Sequence, residues 1–278
     1  MFNIPNLLTA SNLMCGVFAI IATLSGHIDL APWLIFLAAI FDFLDGFAAR
    51  LLKQQSPLGG QLDSLADMVT FGVAPGILMF VVLILCGGQA FALEAGKTVW
   101  SLEPDNFHKA VKFWIDGYFT NLFTPSETPV FSKFYLFLPF IAFLIPFFSL
   151  FRLAKFNLDT RQTDGFLGLN TPANTLFFCA FPLLLVAGYN DPVYAKTSQV
   201  LLIYQIPMTL VVLFSFMLVT EIPFFSLKVK SFGWKGNEMR FSFLFTSLIL
   251  FLLFGWWAIG LVILLYIMIA VIQTLIYK

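Results

Sequence analysis

Eight apolar runs decide what this chain can fold into. They lie near residues 7–26, 30–52, 61–87, 134–155, 173–189, 199–220, 241–256 and 259–276. A helix rising about 1.5 Å per residue needs roughly 20 apolar residues to cross a bilayer. Lipid offers backbone amides no partner, so runs of this length cross as helices. The last two runs share one stretch broken only by GWWAIG at 255–260, which reads as a tight helical hairpin. A composition with 60% hydrophobic and 11% charged residues excludes an ordinary soluble domain. The fold class is an all-α integral membrane protein: a polytopic bundle of about eight transmembrane helices, six in a core and two in the C-terminal hairpin.

Charge placement orients the bundle. Eight spans put both termini on one side. If the segment between the second and third spans is cytoplasmic, that side carries Arg50, Lys53, Arg152, Lys155, Arg161, Lys228, Lys230, Lys235, Arg240 and Lys278. The other side carries Lys97, Lys109, Lys112, Lys133 and Lys196, and four of these five fall in one long loop. Short cytoplasmic loops are enriched in Lys and Arg, so both termini are expected inside. That long loop, about 88–133, is the one polar insertion, and the periodicity of KTVWSLEPDNFHKAVKFWIDGYF suggests an interfacial helix. The organisation read here is a membrane domain over 1–220, with 88–133 as an extracytoplasmic insertion, then a cytoplasmic loop and hairpin over 221–278. A formal net charge of zero leaves no basic stripe for nucleic acid. Cys15, Cys86 and Cys179 lie in apolar runs without metal-type spacing and read as small buried hydrophobes. The opening MFNIPNLLTASN lacks the basic region of a cleavable signal, so the first span is expected to be retained.

Against this apolar background, DFLDGFAARLLKQQSPLGGQLDSLAD, residues 42–67, carries four aspartates. Asp42, Asp45, Gly46 and Ala49 are spaced i, i+3, i+4, i+7 and share one helix face. Gly59, Asp63, Ala66, Asp67 and Thr70 share a face on the next span, after a short turn at QQSPLGG. The short connection makes the two spans antiparallel neighbours, so both pairs of carboxylates meet at one membrane surface. Each carboxylate costs about 2.5–3.5 kcal/mol at mid-membrane depth, and the four repel one another. Divalent cations would relieve both problems. Oxygen-only ligands suit Mg²⁺ or Mn²⁺, and paired ions of this kind serve displacement at phosphorus. Gly46 and Ala49 leave room for a phosphate or nucleotide, and Arg50 and Lys53 offer charge to phosphate oxygens.

The pattern Asp42-x2-Asp45-Gly46-x2-Ala49-Arg50-x8-Gly59-x3-Asp63-x3-Asp67 resembles the full signature of the CDP-alcohol phosphatidyltransferase family, without departure at any of its eight positions. The resemblance extends over roughly the first six spans. It implies a helical membrane enzyme, commonly a homodimer, that moves a phosphatidyl group from a CDP-linked lipid to an alcohol and releases CMP. It implies that Asp42, Asp45, Asp63 and Asp67 hold two divalent cations, with Asp67 also the general base. Gly46, Ala49, Arg50 and Gly59 correspond to nucleotide-binding positions.

The segments LDSLADMVTFGVAPG (62–76), IPNLLTASNLMCG (4–16), FRLAKFNLDT (151–160), GLNTPAN (168–174) and FFSLKVK (224–230) are similar to the branch of that family whose acceptor is L-serine. The expected substrates are therefore CDP-diacylglycerol and L-serine, with glycerol 3-phosphate or inositol phosphate as the alternative acceptor. The expected place is the plasma membrane, among membrane lipids, with the active site toward the cytoplasm. Arg152 and Lys155, i and i+3 at the end of the fourth span, would hold the serine carboxylate or a donor phosphate. Lys155 departs from the family pattern, where a second Arg is usual, and loses the bidentate fork. Asn174, near the start of the fifth span, reads as a helix-entry residue rather than a pocket residue. An ion transporter is the rival from another class, because intramembrane acids often mark ion paths. The four acids gather at one face, however, and later spans have no acid near mid-depth to continue a path.

Overall fold

The computed structural model describes residues 3–102, 106–124, 131–158, 165–225, 233 and 237–276. Helices α1 (Ile4–Leu24) and α2 (Leu30–Leu51) form an antiparallel pair. Asn3 caps α1, its side chain accepting from the Asn6 amide at 3.0 Å. Helix α3 (Pro57–Asp67) continues through a π turn at Met68–Val73 into α4 (Ala74–Glu94). The sequence suggested a loop running to Gly60, but α3 begins at Pro57. Ser56 accepts from the Gly59 amide at 3.0 Å and proline sits at the first helical position, which together start the helix early.

The polar insertion is built rather than loose. Helix α5 (Phe107–Phe123) turns Phe107, Val111, Trp114 and Tyr118 inward against α4. Trp114 lies flat on Gly88, where a β-carbon would stand 2.5 Å from its ring, and its indole donates to Val99 O at 2.9 Å. A helix is thus present where the periodicity suggested one, and its apolar face is spent on α4.

The second half contains α6 (Lys133–Phe137), α7 (Leu144–Leu158), α8 (Thr171–Asn190), α9 (Pro192–Leu201), α10 (Gln205–Met217), α11 (Glu238–Phe254) and α12 (Trp257–Ile276). Two three-residue strands, β1 (Gly165–Leu167) and β2 (Pro223–Phe225), pair antiparallel with Gly165 opposite Phe225. Gly168 follows at φ +79, and a β-carbon there would meet Leu218 O and Thr220 O at 2.6 and 2.7 Å, so this crossing requires glycine. The hairpin expected at 241–276 is formed by α11 and α12, turning at Gly255 with φ +54. It packs back on the core: Tyr266 donates to Phe225 O at 2.9 Å, and α12 lies against α8.

The chain is a multi-pass membrane protein, with six helices among the described residues long and apolar enough to cross, or seven if one bent pair counts as a span. Two of the eight expected spans account for the difference. The run near 199–220 is broken, with α9 and α10 meeting at 69°. Pro207 cannot bond back to the Ile203 carbonyl and crowds it, which frees the chain to bend there. Helix α11 has only 17 residues. At the centre stands the α3–α4 span, 83% buried in its apolar window, beside α8 at 78%; the windows of α1 and α2 are only 39% and 28% buried. A helix apolar all round belongs at the core of a bundle.

Candidate active site

Three of the four aspartates converge. Carboxylate oxygens of Asp42 from α2 and of Asp63 and Asp67 from α3 all lie within 4.8 Å of one another, each residue half-buried. Among the described residues no histidine or cysteine joins the group. Three acids this close repel strongly, and a hard divalent cation is the partner their all-oxygen donor set fits.

Asp45 stands beside this group rather than in it. It is buried, and its Oδ2 accepts from Thr9 Oγ1 at 2.5 Å. Asp67 Oδ1 accepts from Asn12 Nδ2 at 3.1 Å. Both donors come from α1, which packs against α2 and against α3. The sequence reading did not include Thr9 and Asn12 as site residues. Their signal was a stripe: Pro5, Thr9, Asn12 and Gly16 recur at i, i+4, i+7, i+11 and are buried on one face of an otherwise apolar helix. At Gly16 the helices touch, with Thr70 Cα 2.9 Å from where a β-carbon would sit, and Thr70 donates to Asn12 O at 3.1 Å. Asn12 is thereby held from both ends of the contact.

Next to the carboxylates is a cavity of about 250 Å³ lined by Gly46, Ala49, Arg50, Gly59 and Asp63, together with Thr9 and Asp45. All four residues expected at a nucleotide therefore share one wall system. Arg50 folds over Gly46, its Nη1 3.6 Å from where a β-carbon would lie, so its charge faces the cavity without blocking it. A side chain at Gly59 would crowd Ser56 Oγ and Asn6 Oδ1 at 3.2 and 3.3 Å. The first turn of α3 closes this side, and helix N-termini favour phosphate.

The residues on α7 divide. Arg152 is buried, donates from Nε to Leu169 O at 3.3 Å, stacks 5.0 Å over the Phe156 ring and lies in the field of Asp67 and Tyr266. Lys155 instead pairs with Glu221 at 3.2 Å at the exposed surface. Asn157, one turn beyond Leu153, donates to Ser64 Oγ at 2.9 Å and ties α7 to the aspartate helix. Asn174 is not the helix-entry residue. Asn170 fills that role by accepting from the Ala173 amide at 2.7 Å, and Asn174 is fully buried one turn further in.

Residues 2–100, the N-terminal third of the chain, match the model of the CDP-alcohol phosphatidyltransferase family. All four aspartates and the cavity fall inside it, while Arg152, Lys155 and Asn174 fall outside. More particularly, the chain is 46% identical over 81 residues to a CDP-diacylglycerol–serine O-phosphatidyltransferase of Bacillus subtilis, covering 29% of this chain and 46% of that protein. It is 43% identical over 76 residues to the protein of that name from Helicobacter pylori, covering 27% and 32%. The corresponding Saccharomyces cerevisiae protein is 42% identical over 82 residues, covering 27% and 30%. The matched stretch is thus less than half the length of each relative.

Proposed function

We propose that this protein transfers the phosphatidyl group of CDP-diacylglycerol to L-serine, giving phosphatidylserine and CMP. The observation that carries the reading is the adjacency of the Asp42–Asp63–Asp67 cluster to a cavity walled by Gly46, Ala49, Arg50 and Gly59. An acidic centre able to hold divalent cations, beside a small-residue wall, suits a nucleotide diphosphate. Similarity to serine-using relatives favours serine over glycerol 3-phosphate or inositol phosphate.

The four aspartates would hold two divalent cations, Mg²⁺ or Mn²⁺, which when bound supply charge neutralisation for the diphosphate and for the departing CMP. Gly46, Ala49 and Gly59 admit the nucleotide close to the backbone, and Arg50 meets its phosphate oxygens. Asp67 takes the proton of the serine hydroxyl as the oxygen attacks the phosphorus bearing the diacylglycerol. The bond from phosphorus to the CMP oxygen breaks, and the CMP phosphate carries away the electron pair. Asn12 holds Asp67 Oδ1, which leaves its other oxygen for the proton. Arg152 accepts the serine carboxylate or a donor phosphate; Lys155, paired with Glu221, contributes there only by releasing that partner. The acyl tails stay in the bilayer beside lipid-facing α2. The decisive assay offers the purified protein CDP-diacylglycerol with serine, glycerol 3-phosphate or inositol phosphate and follows CMP release. Serine is expected to support release, and release with only another alcohol overturns the reading.

The working orientation places the cluster on the cytoplasmic face of the plasma membrane with both termini inside, in a homodimer, and the 88–133 segment outside. In intact cells, a variant lacking the native cysteines should be labelled from outside when Ser101 is replaced by cysteine, and not when Gln55 is. The reverse pattern overturns the orientation.

A further inference from the structure

The π turn that follows Asp67 is enclosed by α7 and α8. Ser149 of α7 stands against Gly72, its Cβ 3.2 Å from where a β-carbon would lie, and Thr175 of α8 donates to Phe71 O at 2.8 Å. Three helices of the second half, α7, α8 and α10, each bury a polar side chain that has no hydrogen-bond partner among the described residues. These are Asn174 of α8, at both its amide oxygen and nitrogen, Ser149 Oγ of α7 and Ser215 Oγ of α10. All three are at 0% exposure. Asn174 precedes Thr175, and on its own face Phe177 and Phe178 pack on Phe214, the neighbour of Ser215. The Leu169 amide bonds to Met217 O at 2.9 Å, which brings the end of α10 to the start of α8. Arg152, one turn from Ser149, is the one buried cation among the described residues.

Folded proteins satisfy the great majority of buried polar groups. Three unsatisfied ones, two of them on helices that flank a π turn of the kind often found at functional sites, call for a ligand that completes them. The chemistry on offer is specific. A free amide presents an acceptor and two donors, the hydroxyls present both, and one buried guanidinium adds a single positive charge. An α-amino acid fits this set. Its ammonium donates to the Asn174 oxygen, and its carboxylate accepts from the Asn174 nitrogen and faces Arg152. A dianionic phosphate head would bring two charges and no donor for the amide oxygen.

Resting on the transfer reaction proposed above, we propose that Asn174, with Ser149 and Ser215, forms the subsite that holds the amino-acid head of the acceptor. The side-chain hydroxyl of that acceptor is then directed toward Asp67. A site built to hydrogen-bond its substrate discriminates steeply, because an analogue lacking the matching groups leaves buried partners unpaired.

The test is steady-state CMP release by the full chain at saturating CDP-diacylglycerol and metal, with serine varied. It compares the wild type, Asn174→Leu, and the hydroxyl deletions Ser149→Ala and Ser215→Ala. Removing an unpartnered buried hydroxyl leaves no new unsatisfied group, so the serine variants are expected to fold. Asn174→Leu should raise the serine KM by about tenfold or more, with the CDP-diacylglycerol KM held within about threefold. Each serine variant should raise the serine KM by about twofold or more. A wild type that uses serine, with the serine KM unmoved in the folded variants, overturns the subsite and leaves the reaction standing. Equal losses against both substrates mark a purely structural role and overturn it too. A wild type that releases CMP only with another alcohol overturns both readings.

Discussion

Asp42→Asn and Asp63→Asn are each expected to cut CMP release by at least about 10²–10³-fold, the scale of losing one preorganised electrostatic stabiliser. Chelation of divalent ions should abolish wild-type activity and readdition restore it. The cause is geometric. Oxygens from these two residues and Asp67 gather within 4.8 Å, so removing one charge unbalances the set without disturbing the helices that carry it. The same loss is expected for Asp45→Asn, because Asp45 is buried against Thr9 and lines the cavity beside the cluster. Turnover should be measured in chelator-treated buffer against a metal titration, alongside a thermal melt to show that each variant is folded. Full turnover in thoroughly metal-free buffer overturns the assignment.

Asp67→Asn should lose chiefly the chemical step. Assistance from a general base is typically worth about 10²–10⁴-fold, and Asp67 also belongs to the acidic cluster, so the loss should reach the upper part of that range. The two roles separate experimentally. A variant that has lost only a base binds the donor at ordinary metal concentration and reacts slowly; one that has lost only a ligand needs far more metal to bind the donor. The rate effect should dominate, since Asp42 and Asp63 remain in place. Donor binding against metal, with single-turnover rates, decides. A rate that recovers fully at high metal assigns Asp67 as a ligand alone and moves the base elsewhere.

What the sequence could disclose followed the range of the interactions involved. Asp42 and Asp45 share a helix face at i, i+3, and Asp63 and Asp67 at i, i+4, so local periodicity was enough to pair them. That α1 supplies the hydrogen bonds to Asp45 and Asp67 depends on two helices crossing at Gly16 and Thr70, a contact that no local pattern contains. The exchange of roles between Asn170 and Asn174 has a similar origin. Both lie near a helix start before or within a TPAN turn, and only the observed capping bond at Ala173 tells cap from interior. The apolar runs identified most crossings, yet hydropathy is blind to the backbone break that Pro207 causes between α9 and α10. The β1–β2 pair was likewise invisible, because each strand is three residues long and its partner lies far along the chain.

The two halves of the acidic cluster ride on helices with different surroundings. Asp63 and Asp67 belong to a span whose apolar window is 83% buried among its neighbours, whereas Asp42 belongs to one whose window is only 28% buried. A bilayer thinner or thicker than the apolar belt acts on bordering helices through tilt, at fractions of a kcal/mol per ångström of mismatch. The more buried span is the more shielded from that force. A force of that kind would fall on the spacing between α2 and α3, which α1 braces through the bonds from Thr9 to Asp45 and from Asn12 to Asp67.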